Sequence, residues 1–198
     1  MAIPINIEDL LNKRKIESNR IEFKKGWNPD KIYRTICAFA NDFDNIGGGY
    51  IVVGIEEEER TGIAKRPVTG VPIEALNDIQ KDMVGYNNKI EPYYMPRIDV
   101  QEVDGKSVLV IWAPAGVNRP YNVRERVTAK QSPSKWYIRS GTSTIEAKGE
   151  VLDELREMAN RTPFDERGNE RIEISDISPA LVLDYLQTVG SRLANDFE

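Results

Sequence analysis

Residues 50–55, YIVVGI, carry no polar group beyond one tyrosine hydroxyl and follow directly on Gly47-Gly48-Gly49. A strand with one wet face alternates apolar and polar residues; an unbroken apolar run marks a strand covered on both faces. The chain must therefore build layers on either side of it. The glycine triplet permits φ > 0 and close backbone approach just before it. Upstream, Ile21 and Phe23 alternate with Arg20, Glu22 and Lys24, which predicts a short strand with one apolar and one charged face. Between them, Ile32, Ile36, Phe39, Ala40 and Phe43 recur at three- and four-residue steps, an amphipathic helix that Asn28-Pro29 can start. Residues 17 to 56 thus read as strand, helix, glycine turn and buried strand.

The same rules organise the rest. Asn6 can cap a short helix over Ile7 to Lys13. Pro72 opens a second long helix, with Ile73, Leu76, Ile79 and Met83 facing inward and an end near Gly85. Residues 97–103 and 106–113 predict two strands joined by a hairpin at Asp104-Gly105, the second of them central. Residues 104–107, DGKS, resemble part of a phosphate loop, but position 100 is Val100 where a glycine is needed, and the context is strand to strand. No ATP site is expected. Residues 115 to 134 read as a long irregular segment. A last strand covers Trp136 to Arg139, and Gly141 to Thr144 lead to a helix with the stripe Val151, Leu152, Leu155 and Met158. A polar linker (162 to 175) and a helix starting at Ser178-Pro179 follow. The expected division is a domain over 1–160, then, over 161–198, a linker and the start of a further helical region, as at the front of a longer protein.

Composition excludes several classes. With no histidine in the chain, histidine-based triads, general bases and zinc sites are ruled out. A single cysteine, Cys37, lies inside the helical pattern, so it reads as a core thiol and no disulfide framework exists within one chain. No apolar stretch approaches the roughly 20 residues that span a bilayer, and the N-terminus has no signal-peptide pattern. The chain is expected to be cytoplasmic, without membrane contact. Net charge is −5, against a uniformly basic nucleic-acid binder. Between Arg119 and Arg139, however, six basic residues (Arg119, Arg124, Arg126, Lys130, Lys135, Arg139) face one acid, Glu125. Such a stripe can grip phosphates, or it can be a solvated loop. Tyr121, Trp136 and Tyr137 interleave with it; they read first as packing and second as base-stacking groups.

Four pieces in order carry a family resemblance: ES-x-x-x-EFK (17–24), AFAN (38–41), GG-x-x-x-x-GI before a run of acids (48–59), and then Arg119-Pro120-Tyr121 with YIRSGTST (137–144). Together they resemble the Schlafen-type AlbA domain, also called the divergent AAA domain, over about residues 8 to 160. The resemblance implies an α+β fold, a mixed β-sheet with flanking helices. It also implies a nucleic-acid-binding module, DNA before RNA, at the front of a helicase-related transcriptional regulator. Vertebrate Schlafens use a related domain as a metal-dependent endoribonuclease. By motif position, that alternative assigns a three-carboxylate Mg²⁺ or Mn²⁺ site to Glu17, Glu22 and Glu56, where Glu56 stands in place of that group's aspartate. Hard oxygen ligands suit those ions. Glu17 and Glu22 converge only if the chain turns at Ser18-Asn19, and Glu22 can equally be an ion-pair partner of Lys24. Lys24, Lys25, Arg119, Arg124, Lys135 and Arg139 are the phosphate-binding candidates, and no cofactor is needed for binding alone. A homodimer is expected, since vertebrate Schlafens join two related lobes and this chain has one. A third reading is a protein-interaction or oligomerisation module.

Overall fold

The structure, a computed structural model, describes residues 4–12, 18–58, 61–158 and 178–195. The chain divides into two compact units, 1–160 and 161–198. The first is α+β. Its first sheet runs β1-β2-β5-β4, with β1 Ile21–Lys24, β2 Gly49–Val53, β4 Arg97–Val103 and β5 Lys106–Ala113. Its second runs β3-β6-β7-β8, with β3 Ile90–Glu91, β6 Asn122–Arg124, β7 Ser134–Ser140 and β8 Ser143–Glu146. Among the described residues only β1 and β2 pair in parallel, Ile21 beside Tyr50 through Lys24 beside Val53; the crossover between them is the helix α2, Pro29–Asn41.

Helix α2 explains the buried strand. Nine of its residues, from Ile32 to Asn41, are buried, so its apolar surface extends well beyond one stripe. It packs Ile36 and Phe39 with Ile51, Val53, Leu109 and Ile111 of the first sheet, and with Val123 and Tyr137 of the second. The opposite face of the first sheet carries Tyr50, Val52, Val108 and Val110, covered by Leu10 and Leu11 of α1, Ile7–Leu11. All five residues of β2 are therefore buried. Asn28 caps α2 by accepting from Lys31 N (3.1 Å), and Asn6 caps α1 by accepting from Glu8 N (2.8 Å).

Four expectations change. Helix α3, Ile73–Asn87, does not stop at Gly85. A mid-helix glycine costs about 1 kcal/mol, and the last turn offsets this by burying Met83 and by Asn87, whose Oδ1 accepts from Tyr33 Oη at 2.8 Å. Ile73 is 66% exposed, because it opens the helix beyond the packed face. Residues 115 to 134 are not without structure, since they contain β6. Gly141-Thr142 does not lead straight to a helix: with Gly141 at φ 55° it turns the β7–β8 hairpin, and α4, Glu150–Met158, comes after. The Asp104-Gly105 hairpin stands as read, both residues at positive φ (52° and 70°). Thr162 to Ser175 fall outside the described residues. The second unit contributes α5, Pro179–Thr188, and a 3-10 turn, Arg192–Asn195. Among the described residues no helix is long and apolar enough to cross a membrane.

Candidate nucleic-acid interface

A cleft of about 340 Å³ opens where three sequence-distant pieces meet. Strand β1 supplies Glu22 and Lys24 from its charged face. Helix α2 supplies Lys31, Arg34 and Thr35, and the β7–β8 turn supplies Thr142, Ser143 and Thr144. Three cations and four hydroxyl groups thus surround one carboxylate. That carboxylate is already engaged. Glu22 Oε1 accepts from Lys24 Nζ, and Glu22 Oε2 accepts from Arg139 Nη1 at 2.9 Å. The lining keeps a surplus of positive charge, and hydroxyl and ammonium donors are the groups that contact phosphate oxygens.

Arg139 organises this cleft from behind. It is 6% exposed and lies over the Phe39 ring, 5.1 Å from its centroid. Nη1 also donates to Thr144 Oγ1 (2.9 Å) and Nη2 to the Thr142 carbonyl (2.7 Å), so one guanidinium fixes both the carboxylate and the hydroxyl-bearing turn. Thr35 Oγ1 and Thr144 Oγ1 lie 3.2 Å apart and tie the turn to α2. Arg34 Nε donates to the Glu125 carbonyl at 3.0 Å, and the guanidinium sits 6.0 Å from the Tyr137 ring centroid. Its fork is thereby aimed rather than free.

The other basic candidates are distributed elsewhere. Arg119 donates to the carbonyls of Asn41 (3.2 Å) and Asp42 (3.1 Å), closing the C-terminal end of α2, where a cation meets the helix dipole. Lys135 lies between Glu125 Oε1 (2.7 Å) and Glu146 Oε2 (3.3 Å); its hydrogen bond to Glu125 raises its pKa and holds the Glu125 carboxyl below the usual range. Arg124 donates to the Lys130 carbonyl at 3.2 Å. Of the aromatic residues in that stretch, Tyr121 and Tyr137 are buried and take the packing role. The stripe seen in sequence is therefore not one surface. Lys31, Arg34 and the hydroxyls of 142–144 replace much of it, and none of them is among the phosphate-binding candidates read from the sequence. Lys31 and Arg34 sit three apart on α2, away from its apolar stripe, so helical periodicity is the signal that could have found them.

The three carboxylates of the metal reading do not assemble among the described residues. Glu17 lies outside them. Glu22 and Phe23 are strand neighbours and point to opposite faces. Glu56 lines a second cleft, of about 630 Å³, with Phe23, Lys25 and Lys65. Lys25 pairs with Glu56 and, by that hydrogen bond first, lowers its pKa; Lys65 adds a longer contact of 3.8 Å. Glu22 and Glu56 thus face different clefts, each held by cations of the chain itself, and among the described residues no group of three acids or thiols could hold a metal ion.

A further residue emerges as structural. Asn41, fully buried, donates Nδ2 to the carbonyls of Tyr121 (2.9 Å) and Tyr137 (2.8 Å) and accepts from Tyr121 N at Oδ1 (2.7 Å). It joins α2 to the residue just before β6 and to β7. Beside it, the Asp42 carboxylate accepts from the backbone N–H groups of Ile46, Gly47 and Gly48, while Arg20 donates to the carbonyls of Gly47 (3.1 Å) and Gly48 (2.6 Å). The acid and the base clamp the glycine turn that launches β2.

No curated protein matches the chain. Among solved structures, it is similar to the N-terminal domain of a protein from Nitrosomonas europaea described as related to the ATP-dependent DNA helicase RecG. Identity is 26% and the TM-score 0.43, over 64% of this chain and 78% of that one. It is also similar to the DIP2311 protein of Corynebacterium diphtheriae, at 21% identity and TM-score 0.48, over 83% of this chain and only 32% of that one. Residues 17–148, well over half of the chain and the stretch that builds the cleft, match the family model described as Schlafen, AlbA_2, and the protein belongs to that family.

Proposed function

We propose that this chain is a nucleic-acid-binding module, DNA before RNA, and that it serves a transcriptional regulator. The observation that carries the reading is the cleft itself: Lys24, Lys31 and Arg34 with Thr35, Thr142, Ser143 and Thr144, around a Glu22 already neutralised from two sides. A phosphodiester fits such a lining, because ammonium and guanidinium supply charge while the hydroxyls orient the oxygens. Membership of the Schlafen, AlbA_2 family supports a nucleic-acid-related role. The acidic net charge is no obstacle, since binding depends on the local field.

The test is a fluorescence-anisotropy titration of the chain with duplex DNA, single-stranded DNA and structured RNA at several salt concentrations. Affinity should fall steeply with salt, log K losing roughly 0.7 to 0.9 per decade of salt for each neutralised phosphate. The double variant Lys31→Ala, Arg34→Ala should bind more weakly and lose roughly 1.4 to 1.8 from that slope. These two residues are chosen over Arg139 because removing a buried cation also disturbs the fold. An unchanged slope would remove the cleft from the interface, and no binding to any of the three would leave the protein-interaction reading. The same samples incubated with Mn²⁺ or Mg²⁺ answer the nuclease alternative: intact RNA keeps the binding reading, and cleavage that Glu22→Gln abolishes overturns it.

A further inference from the structure

Strand β4 ends the first sheet, with β5 on one side and no strand among the described residues on the other. Its free side can be assigned residue by residue. The β4–β5 hairpin closes over Asp104-Gly105 with Val103 opposite Lys106. A two-residue hairpin closes on a hydrogen-bonded pair, and such pairs alternate along an antiparallel ladder. Arg97, Asp99, Gln101 and Val103 therefore bond to β5, while Ile98, Val100 and Glu102 direct their N–H and C=O groups outward. The Val100 N–H agrees, since its partner is the Asp99 side chain (Oδ1, 3.1 Å). Val100 is also 39% exposed. Beside this edge runs an apolar groove of about 330 Å³, lined by Met83, Val84, Met95 and Ile98, with Val84 and Met95 more than half exposed.

We infer that β4 is a homodimer interface, in which two copies pair β4 to β4 antiparallel about a two-fold axis through Val100. The occupant follows from self-complementarity. In a symmetric antiparallel pair the axis passes through a residue; at Asp99 it would set two carboxylates directly opposite, and at Gln101 it would set Ile98 opposite Asp104 of the partner subunit, in the hairpin turn, which leaves Ile98, Val100 and Glu102, whose own hydrogen-bonding groups face the free side. An axis at Ile98 sets Pro96, which has no N–H, opposite Val100 of the partner subunit. An axis at Glu102 sets that carboxylate against its own copy, and like charges directly opposite destabilise a sheet. The axis at Val100 avoids both. It places Val100 against Val100 of the partner subunit and Ile98 against Glu102 of the partner subunit. It also sets Asp99 twice opposite Gln101, the amide–carboxylate contact that Gln101 Nε2 and Asp99 Oδ2 already make within one chain. The two four-stranded sheets then join as one of eight, and the free edge is removed. This inference uses no residue of the cleft and stands apart from the nucleic-acid reading.

The experiment is sedimentation of the full chain over a wide concentration range, with two variants. The wild type should show a monomer–dimer equilibrium. Val100→Lys sets two ammonium groups face to face and should weaken the dimer at least tenfold, with circular dichroism and melting temperature close to wild type because the side chain is part exposed. Val100→Cys should form an intermolecular disulfide under mild oxidation, since Cα atoms of a hydrogen-bonded antiparallel pair lie about 5.5 Å apart, inside the range a disulfide spans. Buried Cys37 makes the wild type the uncrosslinked control. Monomer at every concentration, a dimer unaffected by Val100→Lys, or the absence of crosslinking through Val100→Cys would each overturn the inference.

Discussion

At the scale of single residues, the motif positions divide between holding the fold and facing the cleft. Asn41 closes the AFAN motif, and its amide meets three backbone groups, two of Tyr121 just before β6 and one of Tyr137 in β7. Asn41→Ala leaves those groups buried without partners. It should cost about 2 to 4 kcal/mol, read as a lower midpoint in chemical denaturation, with no cleft residue altered. Arg139 makes a second case. Arg139→Lys keeps the charge but loses the fork that reaches Glu22, Thr144 and Thr142 together. It should destabilise by roughly 2 kcal/mol, between exposed and fully buried ion pairs. Cys37 gives a pH-dependent expectation. Burial pushes its thiol up to about 12, and burial likewise raises the Tyr33 and Tyr94 hydroxyls above their ordinary range. The folded pKa exceeds the unfolded one, so this stabilisation is complete below the unfolded value and is lost as pH rises through the folded one. Melting temperature should therefore fall between about pH 9 and 12. Near neutrality Cys37 should resist alkylation until the chain unfolds.

At the scale of elements, the sequence was most legible where one period ran without interruption. The alternation at Ile21 and Phe23 became the buried face of β1, and the Asp104-Gly105 dipeptide became the turn of the β4–β5 hairpin. The apolar run after the glycines became β2. Gly48 shows why those glycines are there: at φ 78°, a Cβ would lie 2.2 Å from the Ala113 carbonyl oxygen. Gly48→Ala should lower the melting temperature by several degrees, the equivalent of about 2 kcal/mol or more, and thermal unfolding followed by circular dichroism checks it. Elements too short to show a period were not legible. Three-residue β6 was hidden among prolines, and β8 was hidden in a run of threonine and serine that carries no apolar alternation. That hairpin delivers Thr142 to Thr144, so missing it also hid three of the eight residues that line the cleft. The basic residues misled for a related reason. Closeness in sequence made a stripe of Arg119 to Arg139, whereas α2 and the two sheets separate those side chains into a helix end, an acid-flanked lysine and a buried arginine.

At the scale of the whole molecule, two sheets share one helix, and the cleft exists only because α2 holds them together. The candidate site could not be read from any local stretch, since its groups come from β1, α2 and the β7–β8 turn. Its defining ion pair, Glu22 with Arg139, joins residues 117 apart in sequence, and the Thr35–Thr144 contact spans 109. Such long-range closures are costly in chain entropy and form late, which slows folding relative to helical proteins of similar size. On the ribosome, the first sheet can pair once residue 113 has emerged, but the binding surface must wait for some thirty residues more. A chain arrested in that interval would hold a nearly complete first sheet and no place for a phosphate, so the ability to bind appears only with the final turns of the domain.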